Sequence, residues 1–524
     1  MNHPSDTAFS PAALTAACAR IREPLSVVRE RVADSRGRIG VTFEPKADAE
    51  PLGTLPPMYP EWLGDRAFTE AHGTRFAYCT GAMANGIATV EVVVAAARAG
   101  CLGFFGAAGL LPDRVVAAVD RLQAELGDAP FGVNLIHSPQ EPRVEAEVAA
   151  MLVARSVRTV EASAFMRITP SVVHYAIAGL RRDGDGQVQR RGRIVAKVSR
   201  PEVARQFLEP APQAMLDGLV REGKLTAAEA ELARGVPLAE DITVEADSGG
   251  HTDNRPLVAM FPVIREQALR IARERGYATV PRIGAGGGIG TPMSAAAAFG
   301  MGAAYVLTGS VNQAAVESGV APAARELLCK AQISDVAMCP AADMFEMGVQ
   351  VQVLRRGTMF AARAQLLREL YLRHAGLDEL PAAERVRLEK EVFQGPIDEI
   401  WAGTEAYFLA RDPAQVEKAR TDPKHRMALV FRWYLGKASR WAIDGDPARV
   451  LDYQLWCGPA MGAFNDWVKG SFLEAPGART VGQIALNLME GAAVVTRASQ
   501  LRSFGAAVPA EAYDYRPVRL GVGG

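Results

Sequence analysis

Glu245-Ala246-Asp247-Ser248-Gly249-Gly250-His251 places an imidazole six residues after a carboxylate, behind a glycine pair. The β-branched run Ile242-Thr243-Val244 leads into it. Two glycines weaken a helix or a strand but permit a tight turn, so the ring can be aimed independently of the strand before it. An imidazole titrates near neutrality, which suits proton donation or abstraction. A metal reading would take Asp247, His251 and Asp253 as ligands, but no H-x-H or E-x-x-H spacing supplies companions. A structural histidine is the third reading. The pattern favours a catalytic or substrate-contacting His251 and no metal.

Other residues carry complementary chemistry. Glu161, Lys197 and Glu245 each sit inside an apolar run, where an unpaired charge is costly. On neighbouring strands they would form a carboxylate–lysine–carboxylate cluster, either a structural ion pair or a lysine presented to an electron-rich ligand. Asn134 lies in a fourth such run. "IGAGGGIGTP", residues 283–292, contains Gly286, Gly287 and Gly288 at a strand-to-helix junction. Glycine backbone and a helix N-terminus together suit an anion. The spacing matches neither G-x-G-x-x-G nor G-x-x-x-x-G-K-[ST], so the dinucleotide and P-loop motifs are weak readings. Gly309 and Ser310 repeat the arrangement one unit later. Ala82, Met83, Ala84 and Asn85 form a stretch of mainly small residues against which a flat ring could lie. No G-x-S-x-G elbow is present, and six scattered cysteines form no C-x-x-C.

These residues need a scaffold that brings distant segments together. Runs at 76–83, 102–106, 131–137, 157–163, 193–199, 242–247, 279–285 and 303–310 read as strands separated by alanine-rich helices. Eight such units predict an α/β fold, a (β/α)8 TIM barrel, over a doubly wound sheet. The candidate residues then fall at the C-terminal ends of strands, where barrel active sites lie. The long connection after strand five, about 200–240, predicts a helical insertion, with Thr226 to Glu229 spaced as a capping box. Residues 1–70 read as an N-terminal leader, with a helix over 11–32 and an extended proline-rich run over 44–64. The barrel is assigned to 71–340. Amphipathic spacing over 355–374, 381–393 and 422–442 predicts a mostly helical C-terminal region, 341–524. Its arginine-rich helices are either solvated faces or a landing surface for an acidic partner.

The 524 residues suffice for more than one folding unit, and a formal net charge of −1 gives no argument for nucleic acid or an anionic membrane. The start lacks the basic and apolar blocks of a secretory signal, and no apolar run is long enough to span a bilayer. A cytoplasmic protein is the expectation.

Several blocks, in order, carry a resemblance. "AMANGIATVEVVVAAARAGCLGFFGAAGL", "FGVNLIHSPQEP", "VEASAFMRITP", "AKVSRPEVA", "DITVEADSGGHTDNRPL", "GAGGGIGTP", "GAAYVLTGSVNQ" and "DPKHRMALVFRWYLG" through "WCGPAMGAFNDWVKGS" resemble the PfaD family. Those proteins are trans-acting enoyl reductases of polyunsaturated fatty acid and trans-acyltransferase polyketide synthases. The barrel section also resembles the wider nitronate monooxygenase-like superfamily of FMN barrels. There the strand-six loop reads EAGGH; this chain keeps the GGH and adds Asp247 and Ser248. The resemblance implies FMN, with its phosphate on Gly286, Gly287, Gly288, Gly309 and Ser310. It implies flavin contacts from Ala82, Met83, Ala84, Asn85, Asn134, Lys197, Gly249 and Gly250. It further implies NADPH or NADH as hydride donor, an acyl carrier protein as partner, and His251 as proton donor or carbonyl polariser. A homodimer is left open. Nitronate oxidation and a catalytically silent assembly component are the competing readings.

Overall fold

The computed structural model describes residues 9–30, 37–43, 49–139 and 141–521. Eight parallel strands close into a barrel: β4 (Tyr78–Thr80), β5 (Leu102–Phe105), β6 (Gly132–Ile136), β7 (Thr159–Ser163), β10 (Arg193–Val198), β11 (Asp241–Glu245), β13 (Arg282–Gly286) and β14 (Val306–Thr308). Each strand is nearly buried throughout, as expected where helices cover one face and packed side chains the other. Proline opens the helices Pro112–Leu126, Pro142–Ala154, Pro170–Ile177, Pro201–Leu208 and Pro292–Gly300. Its missing N–H is an orphan at that position anyway. Thr89, Thr169 and Thr291 cap helices by accepting a backbone N–H. The expected barrel is therefore present, with each strand near its expected place.

The N-terminal end of the barrel is sealed. Helix Arg66–His72 lays Phe68 flat on Tyr305, ring centroids 4.2 Å apart, inside the ring of strands. His72 reaches Asp241 at 3.0 Å, and Arg282 grips the same carboxylate with two bonds of 2.6 and 2.8 Å.

Residues before the barrel differ from the sequence expectation. The helix is Pro11–Ala19, not 11–32, and β1 (Leu25–Glu30) follows it. Pro24 disfavours helix at the residue before it, and Val27-Val28 favour a strand. β1 lies between β2 (Ile39–Thr42) and β3 (Ala49–Leu55) in an antiparallel sheet. Of the run expected to be extended over 44–64, residues 44–48 lie outside those described. A hairpin of β8 (Arg181–Arg182) and β9 (Val188–Gln189) precedes β10.

The connection after β10 holds helices Pro201–Leu208, Gln213–Arg221 and Ala227–Leu232, the last opened by the Thr226–Glu229 capping box. Beyond the barrel, β15 (Val336–Pro340) and β16 (Gln350–Leu354) pair antiparallel, and the short β12 (Gly250–His251) joins β16. Helices Phe360–Arg373, Ile397–Arg411, Pro413–Thr421, Pro423–Asp444, Pro459–Val468 and Val481–Ser503 follow. Phe345, Phe393, Phe431 and Tyr434 anchor a second core beneath them. No helix among the described residues is long and apolar enough to cross a membrane.

Candidate functional site

A cavity of about 650 Å³ opens at the C-terminal ends of the barrel strands. Its walls include Ala82, Met83, Ala84, Asn85, Asn134, Lys197, Gly249, Gly250, His251, Gly286, Gly287, Gly288, Gly309 and Ser310. These candidates read from the sequence are thus brought to one space, with Glu245 beside them; Glu161, Asp247 and Asp253 are not among the lining residues.

The charged cluster forms. Lys197 lies 3.1 Å from Glu245, on the neighbouring strand. Glu161 is fully buried; both its oxygens face the Ala82 N–H, at 3.4 and 3.2 Å, and Ser163 donates to it at 3.3 Å. Burial, with Glu245 adding to it, outweighs the pull of Lys197 and leaves the Glu161 carboxyl raised to about 7. Burial works against the charge on Lys197, but Glu245 and Glu161 outweigh it and hold the ammonium above its ordinary range. Three groups therefore share their charge at the barrel mouth. Asn134 donates its amide to the Glu161 carbonyl and the Ser163 hydroxyl, at 3.1 and 3.0 Å, which fixes its orientation beside them.

The His251 loop is clamped from several sides. Gln352 on β16 donates to Asp247 and to the Ser248 carbonyl, both at 2.7 Å. Asp253 accepts from Ser199 at 2.6 Å and from Arg200 at 2.8 Å. The two aspartates of the alternative metal set are thereby engaged in holding the loop, and among the described residues no group suited to a metal ion occurs. A Cβ at Gly249 would meet the Cys457 nitrogen at 2.8 Å, so this glycine is needed for close backbone approach. Gly250 turns with φ of +83° and lets the ring face the cavity. Nε2 of His251 sits 3.3 Å from Asp343, an ion-pair contact rather than an aligned hydrogen bond. Burial opposes protonation of His251, but Asp343 and Glu245 prevail and raise its pKa above the ordinary histidine value.

The glycine turns form a cradle. Gly287 and Gly288 have φ of +82° and +72° between β13 and helix Pro292–Gly300. A Cβ at Gly288 or at Gly309 would meet nothing within 4 Å, so the backbone there lies bare against open space. Such a surface fits a phosphate, which needs close access to amides and no side chain in the way. At the small-residue stretch, the Ala82 N–H is taken by Glu161 and the Asn85 N–H by the Ala108 carbonyl. The Met83 and Ala84 N–H groups make no such bond among the described residues and are the donors left for a ring lying here.

The helical region roofs the cavity. Tyr407, Phe408, Trp433, Trp456 and Leu429 line it, and Asn85 donates to Ser439 at 3.1 Å across the junction. Arg411 bonds Glu141 at 2.9 Å, tying helix Ile397–Arg411 to the loop after β6. Sequence reasoning missed Asp343, Gln352, Trp433 and Trp456 as parts of the site, since each belongs to a segment read only as helical appendage. It also passed over His137 and Glu145, although "FGVNLIHSPQEP" placed a histidine at a strand's C-terminal end.

Known proteins resemble this chain in both regions. The sequence model of the nitronate monooxygenase family matches residues 67–370. That of the inserted helical domain of [acyl-carrier-protein] S-malonyltransferase matches residues 374–453. A polyunsaturated fatty acid synthase subunit of Thraustochytrium sp. is 48% identical over 448 residues, 84% of this chain and 30% of that protein. Polyketide biosynthesis protein PksE of Bacillus subtilis is 42% identical over 475 residues, 87% of this chain and 62% of that protein. This chain thus spans under two thirds of either relative. The crystal structure of the enoyl reductase domain of MlnA, from the macrolactin biosynthesis cluster of Bacillus amyloliquefaciens, superposes with a TM-score of 0.80. That domain is 37% identical, and the match covers 85% of this chain and 99% of it.

Proposed function

The chain belongs to the nitronate monooxygenase family, and from that premise we propose that it is an FMN-dependent enoyl reductase. Its substrate is an enoyl thioester on an acyl carrier protein, and NADPH or NADH is the hydride source. The reaction belongs to polyketide or polyunsaturated fatty acid assembly. One observation carries the reading: a cavity with a bare glycine cradle and a carboxylate-backed imidazole, in a chain matching an enoyl reductase domain over nearly all of that domain.

Gly286, Gly287, Gly288, Gly309 and Ser310 would hold the FMN phosphate. Ala82, Met83, Ala84, Asn85, Asn134, Lys197, Gly249 and Gly250 would surround the ring. Bound there, the flavin supplies hydride to the β-carbon of the substrate. The chain's own residues do the rest. Lys197, held between Glu245 and Glu161, places a fixed positive charge against the ligand. His251, whose charged form Asp343 favours, hydrogen-bonds the thioester oxygen or donates a proton to the α-carbon. The roof of Trp433, Trp456 and Phe408 excludes water and packs the acyl chain. The carrier protein docks on the helical region, whose arginine-rich helices complement an acidic partner.

The family match itself favours a second reading, oxidation of alkyl nitronates by the same cofactor. Purified protein separates the two. A yellow protein that oxidises NADPH anaerobically only when given a crotonyl carrier-protein thioester supports the reductase. Turnover of alkyl nitronates without enoyl reduction favours the oxidase. Folded, colourless protein that does not take up added FMN sinks both.

A further inference from the structure

We propose that His137, held by Glu145, delivers the proton to the α-carbon, and that His251 is left to polarise the thioester carbonyl. This rests on the enoyl reductase reading. His137 is the first residue beyond β6, at the same barrel end as His251. Its N–H donates to the Ser163 carbonyl at 3.0 Å, and its ring stacks on Phe165 with centroids 5.2 Å apart. Nδ1 lies 3.1 Å from Glu145.

Glu145 is buried on helix Pro142–Ala154. It also accepts the Ser138 N–H at 3.0 Å, and it accepts the Thr169 hydroxyl. Burial alone would raise this carboxyl; the bonds from His137, Thr169 and Ser138 bring it below its ordinary value. No lysine or arginine among the described residues pairs with it, so His137 is its one available counter-charge. Elsewhere, His72 and His425 also leave a ring nitrogen without a partner among the described residues, but those atoms are buried and line no part of the cavity. Here Nε2 has no partner among the described residues and is not sealed off, while the residue lines the cavity. With Nδ1–H on Glu145, the ring takes its second proton at Nε2, and the carboxylate stabilises the imidazolium formed.

The chemistry needs two such groups. Hydride added at the β-carbon pushes the π pair onto the thioester oxygen. That oxygen needs a hydrogen-bond donor, and the α-carbon needs a proton. As the enolate collapses, the pair at the α-carbon takes the proton from Nε2, the carbonyl re-forms and His137 is left neutral. Water then reprotonates it. β6 and β11 stand three places apart round the ring of strands, so the two imidazoles come at the substrate from different sides.

The test uses the flavin-loaded full chain, an enoyl carrier-protein thioester and D₂O. Stopped-flow separates cofactor reduction by NADPH from reoxidation by the thioester; the configuration of the α-deuterium reports the donor. Wild type is expected to give one configuration. H137Q should keep NADPH-driven reduction, slow reoxidation about 10²-fold or more, and scramble the configuration. H251A should be slow yet give the wild-type configuration. Glu145 is a positioning residue: E145Q should slow reoxidation and partly scramble the configuration while NADPH-driven reduction is kept, and E145D should restore both. Independently of turnover, the ring ¹⁵N shifts of one of the seven histidines should report a changed tautomer in E145Q. A single wild-type configuration from H137Q, at any rate, overturns the assignment, as does scrambling by H251A. Wild-type protein whose cofactor no enoyl thioester reoxidises sinks the reductase reading instead.

Discussion

With Nε2 turned to Asp343, His251 can donate to an enolate through its other ring nitrogen only as the imidazolium, the form that Asp343 and Glu245 favour. Removing the ring should cost about 10²–10⁴-fold in turnover, the usual worth of general acid help. His251→Ala should therefore turn over slowly while keeping its flavin absorbance; unchanged turnover removes the residue from the mechanism. Asp343→Asn takes away the main counter-charge. Because that charge raises the His251 pKa, losing it should shift the alkaline limb of activity to lower pH, readable as kcat against pH. The cradle is testable by a single methyl. Gly309 has φ of −116°, a conformation open to any residue, and a Cβ there meets nothing within 4 Å. Gly309→Ala should leave the melting temperature within the small range of a neutral surface change, under about 0.5 kcal/mol. Affinity for FMN should fall measurably by fluorescence titration; full affinity would place the phosphate elsewhere. These glycines and His251 were legible in the sequence because the chemistry lay within one short run. Asp343 was not, because a carboxylate in "PAADMFEMG" has no local feature that names a partner on another segment.

Elements were legible where their signal was local. Each barrel strand is a short apolar run between helical patterns, so all eight could be read. β1 to β3 and the β15–β16 pair escaped, because antiparallel pairing across the sheet depends on contacts that periodicity in a short segment does not report. β12 has two residues, too few for any period. Yet this small sheet carries the candidate catalytic ring, since β16 holds β12 and Gln352 holds the loop before it. Gln352 is buried and its two acceptors are part-buried, so Gln352→Ala removes two hydrogen bonds from the loop. The expected cost is about 1–3 kcal/mol. Amide exchange over 247–251 should accelerate, and FMN should dissociate faster, while the melting of the barrel helices changes little. Unaltered exchange in that loop would mean that β12 pairing suffices without the glutamine.

At the scale of the whole molecule, the chain closes on itself. Arg497, fully buried on helix Val481–Ser503, donates to the carbonyls of Ile21 and Pro56 at 3.1 and 2.6 Å, joining the last long helix to the segment before the barrel. The sequence reading did not single out Arg497, because nothing local to it names acceptors near the other end of the chain. At the opposite end from the cavity, Asp241 binds His72 from the sealing helix and Arg282 from β13. Burial would raise the Asp241 carboxyl, but His72 and Arg282 bring it down to about 2. A carboxylate whose folded pKa is depressed stabilises the fold above its unfolded value, near pH 4, and loses that contribution as pH falls toward 2. The linked part is on the order of 2 kcal/mol. Asp241→Asn also leaves the Arg282 guanidinium without its carboxylate in a buried site, which adds a penalty of about 3–5 kcal/mol. The urea midpoint of Asp241→Asn should therefore lie well below wild type at pH 6, and the gap should narrow between pH 5 and pH 3. A gap constant over that window would mean that the aspartate's charge is not linked to closure of the barrel floor, and that the clasp acts by packing alone.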